Sequence, residues 1–304
     1  MTSNTDVSAA AFSFRRLLDV PDGRYKNYVL SDSRHTGLIT FLRHHMVGRP
    51  HLRALDIGCG AGVICRGLSA EFEQVIGIDG NPDNVALARS LTQEAGISNI
   101  AYRQADATRL PVEDASLDLA VVVGVLEWVG VNDAGEHPHT RQLAMLREIR
   151  RVLKPGGMFY LAIENRWHPR TVLKDPHSGL PFVNIMPRWL ADKWSRAKQN
   201  RPYQTYIYGW RTLRRMLRET GFSTDTPFVP FPGYQHPVSH IAIYPRSRSL
   251  QDIDAIDVPT VGRVLEQAGR PTSVQRGVDT LRRRARLGQL GLLCHDLAFF
   301  CERQ

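Results

Sequence analysis

The feature that most constrains this chain is a short apolar segment that runs directly into a glycine-rich turn. Residues 52–57 are mostly apolar, and Gly58, Gly60 and Gly62 follow them at alternate positions. Such a run is typical of a buried parallel strand, and glycine lets the backbone turn tightly and approach a ligand closely. Asp79 ends a second apolar run 17 residues after Gly62, where a carboxylate can accept hydrogen bonds from both hydroxyls of a ribose. On its own, this arrangement also suits a dinucleotide dehydrogenase.

The rest of the chain alternates between strand and helix patterns, which predicts a doubly wound, mostly parallel α/β sheet. We expect seven strands, and two segments compete for the last position, residues 240–244 and residues 292–301. The other predicted strands are residues 52–57, 74–79, 100–104, 117–125, 158–164 and 222–229, with helices at residues 62–70, 81–95, 139–153 and 209–220.

Three parts are predicted along the 304 residues. Residues 1–48 form an N-terminal helical lid segment. Residues 49–245 form the core, with a cap inserted at residues 165–208 after strand five, because a connection this long is usually functional or has structure of its own. Residues 246–304 form a C-terminal helical extension that includes one of the two candidates for the final strand.

Composition argues against several classes of protein. No apolar run approaches the roughly 20 residues of a membrane span, and the N-terminus lacks the pattern of a signal peptide, so we expect a cytoplasmic location. The net charge is +9, which leaves an RNA substrate as an alternative. The densest basic run, residues 282–286, has no interleaved aromatic residues, which argues against a nucleic-acid partner. The four cysteines match no zinc spacing, and no compact Asp/His group is evident. We therefore expect no metal.

Five segments resemble the motifs of class I S-adenosylmethionine-dependent methyltransferases. Residues 54–62, Ala-Leu-Asp-Ile-Gly-Cys-Gly-Ala-Gly, resemble motif I, and residues 75–79, Val-Ile-Gly-Ile-Asp, resemble motif II. The others resemble the adenine-binding segment, the strand-four motif and the helix and turn before strand five, and they are residues 104–111, 117–122 and 146–157. Their order along residues 52–164 favours this family over the dehydrogenases.

The resemblance implies S-adenosylmethionine as cofactor and a role for each matching residue. The turn would line the methionine part, Asp79 with Gly80 would bind the ribose, and Asp106 with Ala107 would bind the adenine. Gly124 would border the sulfonium, Asp56 would support the turn, and Tyr28 would close over the cofactor. The turn residues in this set are Gly58, Cys59, Gly60 and Gly62.

Methyl transfer to a hydroxyl also requires a group that removes the proton, whereas a neutral amine needs only desolvation. The predicted catalytic residues are His177, Asp175 and Glu164, of which Glu164 ends strand five and points into the ligand crevice. His168, His236 and His240 are further candidates for the base. The predicted acceptor contacts are Trp128, Tyr203, Tyr206 and His236.

Residues 164–166 and 174–182 resemble a bacterial subset of these enzymes associated with polysaccharide or secondary-metabolite pathways. This favours O-methylation of a hydroxyl on a glycan or a natural-product small molecule. Alternatives are an N- or C-methyltransferase of a metabolite, an RNA methyltransferase, and a non-catalytic cofactor-binding scaffold. After strand four the chain has Gly-Val-Leu-Glu rather than the Asn-Pro-Pro-Tyr type of sequence found in enzymes that methylate amino groups of nucleic acids. The sequence leaves a homodimer open.

Overall fold

The computed structural model describes residues 33–131, 136–203, 205–224, 226–243, 246–267 and 273–304. Eight of the described segments form one sheet, in the order β3-β2-β1-β4-β5-β8-β6-β7. The strands are Arg53–Ile57 (β1), Gln74–Asp79 (β2), Ile100–Gln104 (β3), Leu117–Val123 (β4), Leu153–Glu164 (β5), Pro227–Phe231 (β6), Ser239–Ala242 (β7) and Asp296–Glu302 (β8). The first five strands pair in parallel, which confirms the predicted α/β class.

The helices pack on both faces of this sheet. On one face, Leu55 and Ile57 of β1 join a core with Leu146 of the helix before β5, whereas Ala54 points to the other face and packs with Leu38. This alternation follows from the period of two in a strand. The helices are Ser33–His45, Val63–Leu68, Pro82–Glu94, Pro138–Val152, Pro169–Leu173, Arg188–Gln199, Trp210–Glu219, Arg246–Asp254, Val258–Gln267, Val274–Arg286 and Leu290–Leu293.

The prediction of seven strands was wrong by one, because both candidates for the last position are strands. β8 lies between β5 and β6 and runs antiparallel to both, while β7 pairs with β6 at the end of the strand order. The predicted sixth strand, residues 222–229, begins later, at Pro227, and Phe222 makes only an isolated bridge to Arg303. An apolar pattern shows that a segment is a buried strand, but not which neighbour it pairs with.

The turn expected at residues 154–157 is absorbed into β5. The helix Pro138–Val152 ends directly before β5, which begins at Leu153. Leu153 and Met158 face Leu117 and Leu119 of β4, so that the register shifts between the two pairs. A β-bulge accommodates extra residues in this way, and Gly156, with φ of +75°, allows it.

The predicted cap, residues 165–208, contains the helices Pro169–Leu173 and Arg188–Gln199. The described part of the predicted C-terminal extension contains four helices and β8. Among the described residues, no helix combines the length and apolar character needed to cross a membrane. The division into lid, core, cap and extension stays a prediction.

Candidate active site

The glycine-rich turn is tied to the carboxyl end of β2. The amides of Gly58 and Cys59 donate to the Ile78 carbonyl at 2.7 and 3.0 Å. Gly58 has φ of +73°, and a Cβ at this position would lie 2.3 Å from a methyl group of Val125. Gly60 has φ of +52° and open space where a Cβ would be. Conformation at both positions, and crowding at Gly58, therefore require glycine.

Asp79 forms hydrogen bonds with the turn that it was predicted to face. Its Oδ2 accepts from the Gly60 amide at 2.9 Å, and its Oδ1 accepts from the Asn81 amide at 2.9 Å and the Asn84 side chain at 3.2 Å. A carboxylate offers about four acceptor positions, so capacity for a further donor remains. The ribose contact stays a prediction.

Other predicted cofactor residues lie beneath the turn. Asp56 is buried and accepts a hydrogen bond from the Cys65 thiol at 3.3 Å, and burial raises the pKa of Asp56 to about 7. Cys59 is also buried. Gly62 precedes the helix Val63–Leu68 in the left-handed conformation, where a Cβ would lie 2.3 Å from the Tyr102 hydroxyl oxygen. These contacts shape the turn from below.

A cavity of about 480 Å³ borders the first glycine of the turn, Gly58, and its volume is typical of small-molecule sites. Its lining includes Gly58, Asp79, Gly80, Asp106 and Ala107, all of which the sequence analysis assigned to the cofactor. The volume of this cavity is within the range of sites that bind small molecules of the size of S-adenosylmethionine. Tyr28 lies outside the described residues.

The carboxylate of Asp106 is already engaged on both oxygens. Oδ1 accepts from the amide and hydroxyl of Thr108 at 2.8 and 2.9 Å, and Oδ2 accepts from Arg141 at 2.6 Å. Partial burial opposes ionisation, but the Thr108 and Arg141 hydrogen bonds outweigh it and lower the pKa of Asp106. Arg141 also lines the cavity, and the sequence analysis missed it. The adenine contact of Asp106 stays a prediction.

Three ionisable side chains, Glu127, Glu164 and His177, converge next to this cavity, and we refer to them as the Glu-Glu-His cluster. One ligand atom of each lies within 4.8 Å of the other two, and Glu164 Oε2 is 3.8 Å from His177 Nε2. Glu127 lies in a 3-10 turn after β4, and Glu164 ends β5. The carboxyl ends of these neighbouring parallel strands meet at one edge of the sheet. The sequence analysis predicted Glu164 and His177 as catalytic, but not Glu127.

The cluster is buried, and several of its polar atoms lack a hydrogen-bond partner among the described residues. Glu127 is 0% exposed, and neither of its carboxylate oxygens has a hydrogen-bond partner among the described residues. The same holds for Oε2 of Glu164 and Nε2 of His177. Burial, together with the charge of Glu164, raises the pKa of Glu127 well above its ordinary value. Burial acts in the same sense on Glu164, but His177 and Tyr234 outweigh it and hold the pKa of Glu164 below its ordinary value.

Two further contacts connect the cluster to the fold. The Tyr234 hydroxyl donates to Glu164 Oε1 at 2.7 Å. The ring of Trp128, which lines the cavity, meets the His177 ring edge-on at 4.8 Å between centroids. Gly124 has φ of +66°, and a Cβ there would lie 2.8 Å from the Tyr234 ring. Tyr234 was not predicted, and only its position in the fold reveals it.

Asp175 holds the loop that carries His177. Its Oδ2 accepts from the Ser178 amide at 2.6 Å, and its Oδ1 accepts from the Asn184 side chain at 2.9 Å. Both oxygens thus serve the loop, and among the described hydrogen bonds none joins Asp175 to His177. Asp175 therefore supports the loop that carries His177, and its catalytic role stays a prediction.

The predicted acceptor residues are only partly brought together. Trp128 and Tyr203 line a small cavity of about 70 Å³ that also includes His177. Tyr206 instead lies under the Arg188 guanidinium, 4.0 Å from its ring centroid, and is buried. His236 is buried in the loop between β6 and β7. It lines neither the 480 Å³ cavity nor the 70 Å³ cavity.

Two other candidate bases, His168 and His240, are not part of the cluster. His168 packs its ring against His295 at 4.7 Å, and His240 shares a hydrogen bond with the Tyr160 hydroxyl at 2.8 Å. Burial lowers the pKa of both to about 3. A larger cavity, of about 950 Å³, is lined by Trp167, Trp210 and residues of the C-terminal extension. It shares no lining residue with the cavity that borders Gly58.

Comparisons with known proteins agree with this geometry. Residues 55–161 match the family described as "Methyltransferase domain". The "Ubiquinone biosynthesis O-methyltransferase" of Chelativorans sp. is 32% identical over 177 residues, which are 57% of this chain and 59% of that protein. The "Uncharacterized methyltransferase YcgJ" of Bacillus subtilis is 34% identical over 140 residues, which are 46% of this chain and 49% of that protein. The chain thus spans about half the length of these curated relatives.

Among solved structures, this chain is similar to one chain of the complex between the Haloferax volcanii Trm112 methyltransferase activator and a methyltransferase. The TM-score is 0.52 at 19% identity, and the match covers 100% of this chain and 99% of the other. At this identity the likeness concerns the fold alone. The family match shows that residues 55–161 form a methyltransferase domain, and the solved structure shows that the fold is shared.

Proposed function

We propose that the whole chain is an S-adenosylmethionine-dependent O-methyltransferase that acts on a hydroxyl of a small molecule, either a glycan or a natural product. The Glu-Glu-His cluster is the observation that carries this proposal, because a hydroxyl must lose its proton when it is methylated and a neutral amine need not be activated in this way. The name of the Chelativorans relative, which refers to an O-methyltransferase, supports oxygen as the acceptor atom.

The residues of the chain would divide the work. When bound, S-adenosylmethionine supplies a methyl group on a positively charged sulfur. Asp79 and the glycine-rich turn hold the cofactor, and Trp128, which lines both cavities, separates it from the acceptor. S-adenosylmethionine would supply its methyl group to the acceptor oxygen, and the carboxylate pair of Glu127 and Glu164 would take the proton that the hydroxyl loses. Alignment of the three reacting atoms is the main task of the site.

The test begins with calorimetric titration of S-adenosylhomocysteine and, separately, of NAD. We expect S-adenosylhomocysteine to bind with micromolar affinity and NAD not to bind. A screen of sugars, phenols and aliphatic alcohols follows, with S-adenosylmethionine labelled with ¹³C in the methyl group and detection of the product by NMR. A methyl ether is the expected product. Its yield should fall in Glu164→Gln but not in the control Glu73→Gln, which changes an exposed residue directly before the amino end of β2. Transfer only to nitrogen or carbon would contradict the proposal.

A further inference from the structure

We propose that Glu127, Glu164 and His177 form a binding site for a divalent metal ion next to the cofactor cavity. The ion would hold the oxygen of the acceptor, and this second part rests on the proposed O-methylation. The site itself rests on the geometry of the three side chains and can be tested without any acceptor.

The spacing of the donor atoms suits an ion. Carboxylate oxygens bind divalent cations at about 2.0–2.6 Å, depending on the ion, so two donors of the same ion are at most about 4–5 Å apart. The three ligand atoms lie within 4.8 Å of one another, and Glu164 Oε2 and His177 Nε2 are 3.8 Å apart. The distance between Glu164 Oε2 and His177 Nε2 is too long for a hydrogen bond, but it fits two ligands of one ion.

Glu127 supplies the independent observation. Its side chain is fully buried, and both of its oxygens lack a hydrogen-bond partner among the described residues. Nearly all buried polar groups in proteins have a partner, and a buried carboxylate without one is costly. The oxygen and nitrogen that Glu164 and His177 turn toward it are also without partners. A cation at their centre would satisfy all three groups at once.

The surroundings of the cluster resemble the outer sphere of a metal site, in which further residues orient the ligands. Tyr234 donates to Oε1 of Glu164 and thereby leaves Oε2 for the ion. Asp175 holds the loop at Ser178, next to His177, and Trp128 packs against the imidazole ring. Glu164 and His177 are thus each held by a contact that does not use the donor atom.

The donor set indicates the kind of ion. Carboxylate oxygens suit magnesium and manganese, and imidazole is more often a ligand of transition metals. Two carboxylates and one imidazole therefore favour Mn²⁺ or a similar divalent ion. Three protein ligands leave coordination positions for the acceptor oxygen and for water.

A bound ion would polarise the acceptor hydroxyl and favour its deprotonation. One oxygen of Glu127 binds the ion, and its other oxygen takes the proton from the coordinated hydroxyl. The resulting alkoxide gains the methyl group, and Glu127 later returns the proton to water. The acceptor oxygen exchanges a proton for a methyl group, as in any O-methylation, and the oxidation state of the ion does not change.

The experiment uses the full chain saturated with S-adenosylhomocysteine and treated with a chelator. Mn²⁺ is added, and the free ion is measured by its electron paramagnetic resonance signal. About one Mn²⁺ per chain is expected to bind. Glu127→Gln and His177→Asn should each weaken binding at least tenfold, since each removes a ligand, while the control Glu73→Gln should bind like the wild type. Circular dichroism and affinity for S-adenosylhomocysteine show whether each variant is folded.

The outcomes separate this proposal from the proposed function. Failure of the folded wild type to bind Mn²⁺ up to millimolar concentration overturns the site, as does unchanged binding in both variants. O-methylation at the full rate in chelator-treated protein overturns the role of the ion but leaves the proposed function intact. Binding that depends on Glu127 and His177 in a protein that methylates no hydroxyl supports the site and contradicts the proposed function.

Discussion

The hydroxyl of Tyr234 donates a 2.7 Å hydrogen bond to Oε1 of Glu164. This contact joins the loop after β6 to the end of β5, and it fixes one oxygen of a buried carboxylate while the other faces His177. The Tyr234 amide in turn donates to Asp296 of β8 at 2.9 Å. The C-terminal part of the chain therefore helps to shape the candidate active site.

We expect Tyr234→Phe to lower kcat about 10- to 100-fold, because a hydrogen bond to a charged group contributes about 1.5–3 kcal/mol. Affinity for S-adenosylhomocysteine should not change. Steady-state kinetics with the acceptor found in the screen provide the measurement. Tyr160→Phe is the matched control, since it removes a buried tyrosine hydroxyl that contacts His240 instead. Equal rates in the two variants would remove Tyr234 from the mechanism.

His177→Ala should reduce turnover about 10²- to 10⁴-fold, because it removes the imidazole beside Glu164 and so disturbs the carboxylate pair that takes the proton. Binding of S-adenosylhomocysteine should stay within about twofold of the wild type, since His177 does not line the cofactor cavity. His168→Gln, in the same cap, serves as the control. A nearly normal rate for His177→Ala at saturating acceptor would contradict its role.

Asp79→Ala should weaken binding of S-adenosylhomocysteine by about 1.5–3 kcal/mol, because charge-assisted hydrogen bonds are lost. It also removes the acceptor for the Gly60 amide, so that the turn is less well ordered. Isothermal titration calorimetry measures the change, with Asp83→Ala, an exposed neighbour, for comparison. Unchanged affinity would show that Asp79 does not bind the cofactor.

Gly124→Ala should lower the free energy of unfolding more than Gly96→Ala does. Both glycines have positive φ, +66° and +67°, but only at Gly124 would a Cβ meet another residue, the Tyr234 ring at 2.8 Å. The backbone term is about 1 kcal/mol in each variant, and crowding adds about 1–3 kcal/mol at Gly124. Urea unfolding gives the two values. Equal destabilisation would mean that Tyr234 moves aside easily.

Stability should depend on pH through Asp56. Burial raises the pKa of Asp56 to about 7 in the folded state, against about 3.9 in an unfolded chain. The folded state thus binds the proton more tightly, and this contribution is fully present below about pH 4 and is lost as pH rises to about 7.

Asp56→Asn removes the pH-dependent contribution of Asp56 to the free energy of unfolding. The stability of the wild type relative to the variant should therefore fall by about 1 kcal/mol per pH unit between about pH 5 and 7. Urea unfolding under reducing conditions at several pH values measures it, and Asp83→Asn should show no such trend. A pH-independent difference between Asp56→Asn and the wild type would contradict the raised pKa.

The sequence predicted that several residues assigned to the cofactor would lie close together. Five residues assigned to the cofactor, Gly58, Asp79, Gly80, Asp106 and Ala107, do line one cavity. They lie in or just after successive strands, so their spacing along the chain already reflects their spacing in the sheet. The role of Asp106 was harder to predict, because its partner Arg141 comes from a helix 35 positions away.

The acceptor side was predicted only in part. Glu164 and His177 were expected, but Tyr206 and His236 are packed elsewhere, and aromatic or histidine residues in a long insert give no indication of which ones face a ligand. Glu127 carried a local signal, its position just after strand four. Its burial without a partner became visible only when β5 and the cap were placed around it.

The sequence by itself determined the class of fold and the glycine-rich turn with Asp79, because period-two apolar runs, glycines and a strand-end carboxylate act over short stretches of chain. The tertiary structure alone decided that β8 lies between β5 and β6 and that Glu127, Glu164 and His177 meet at one point. Strand order and the fold of an inserted cap depend on packing between distant segments, and the period of any one segment carries no information about its partner.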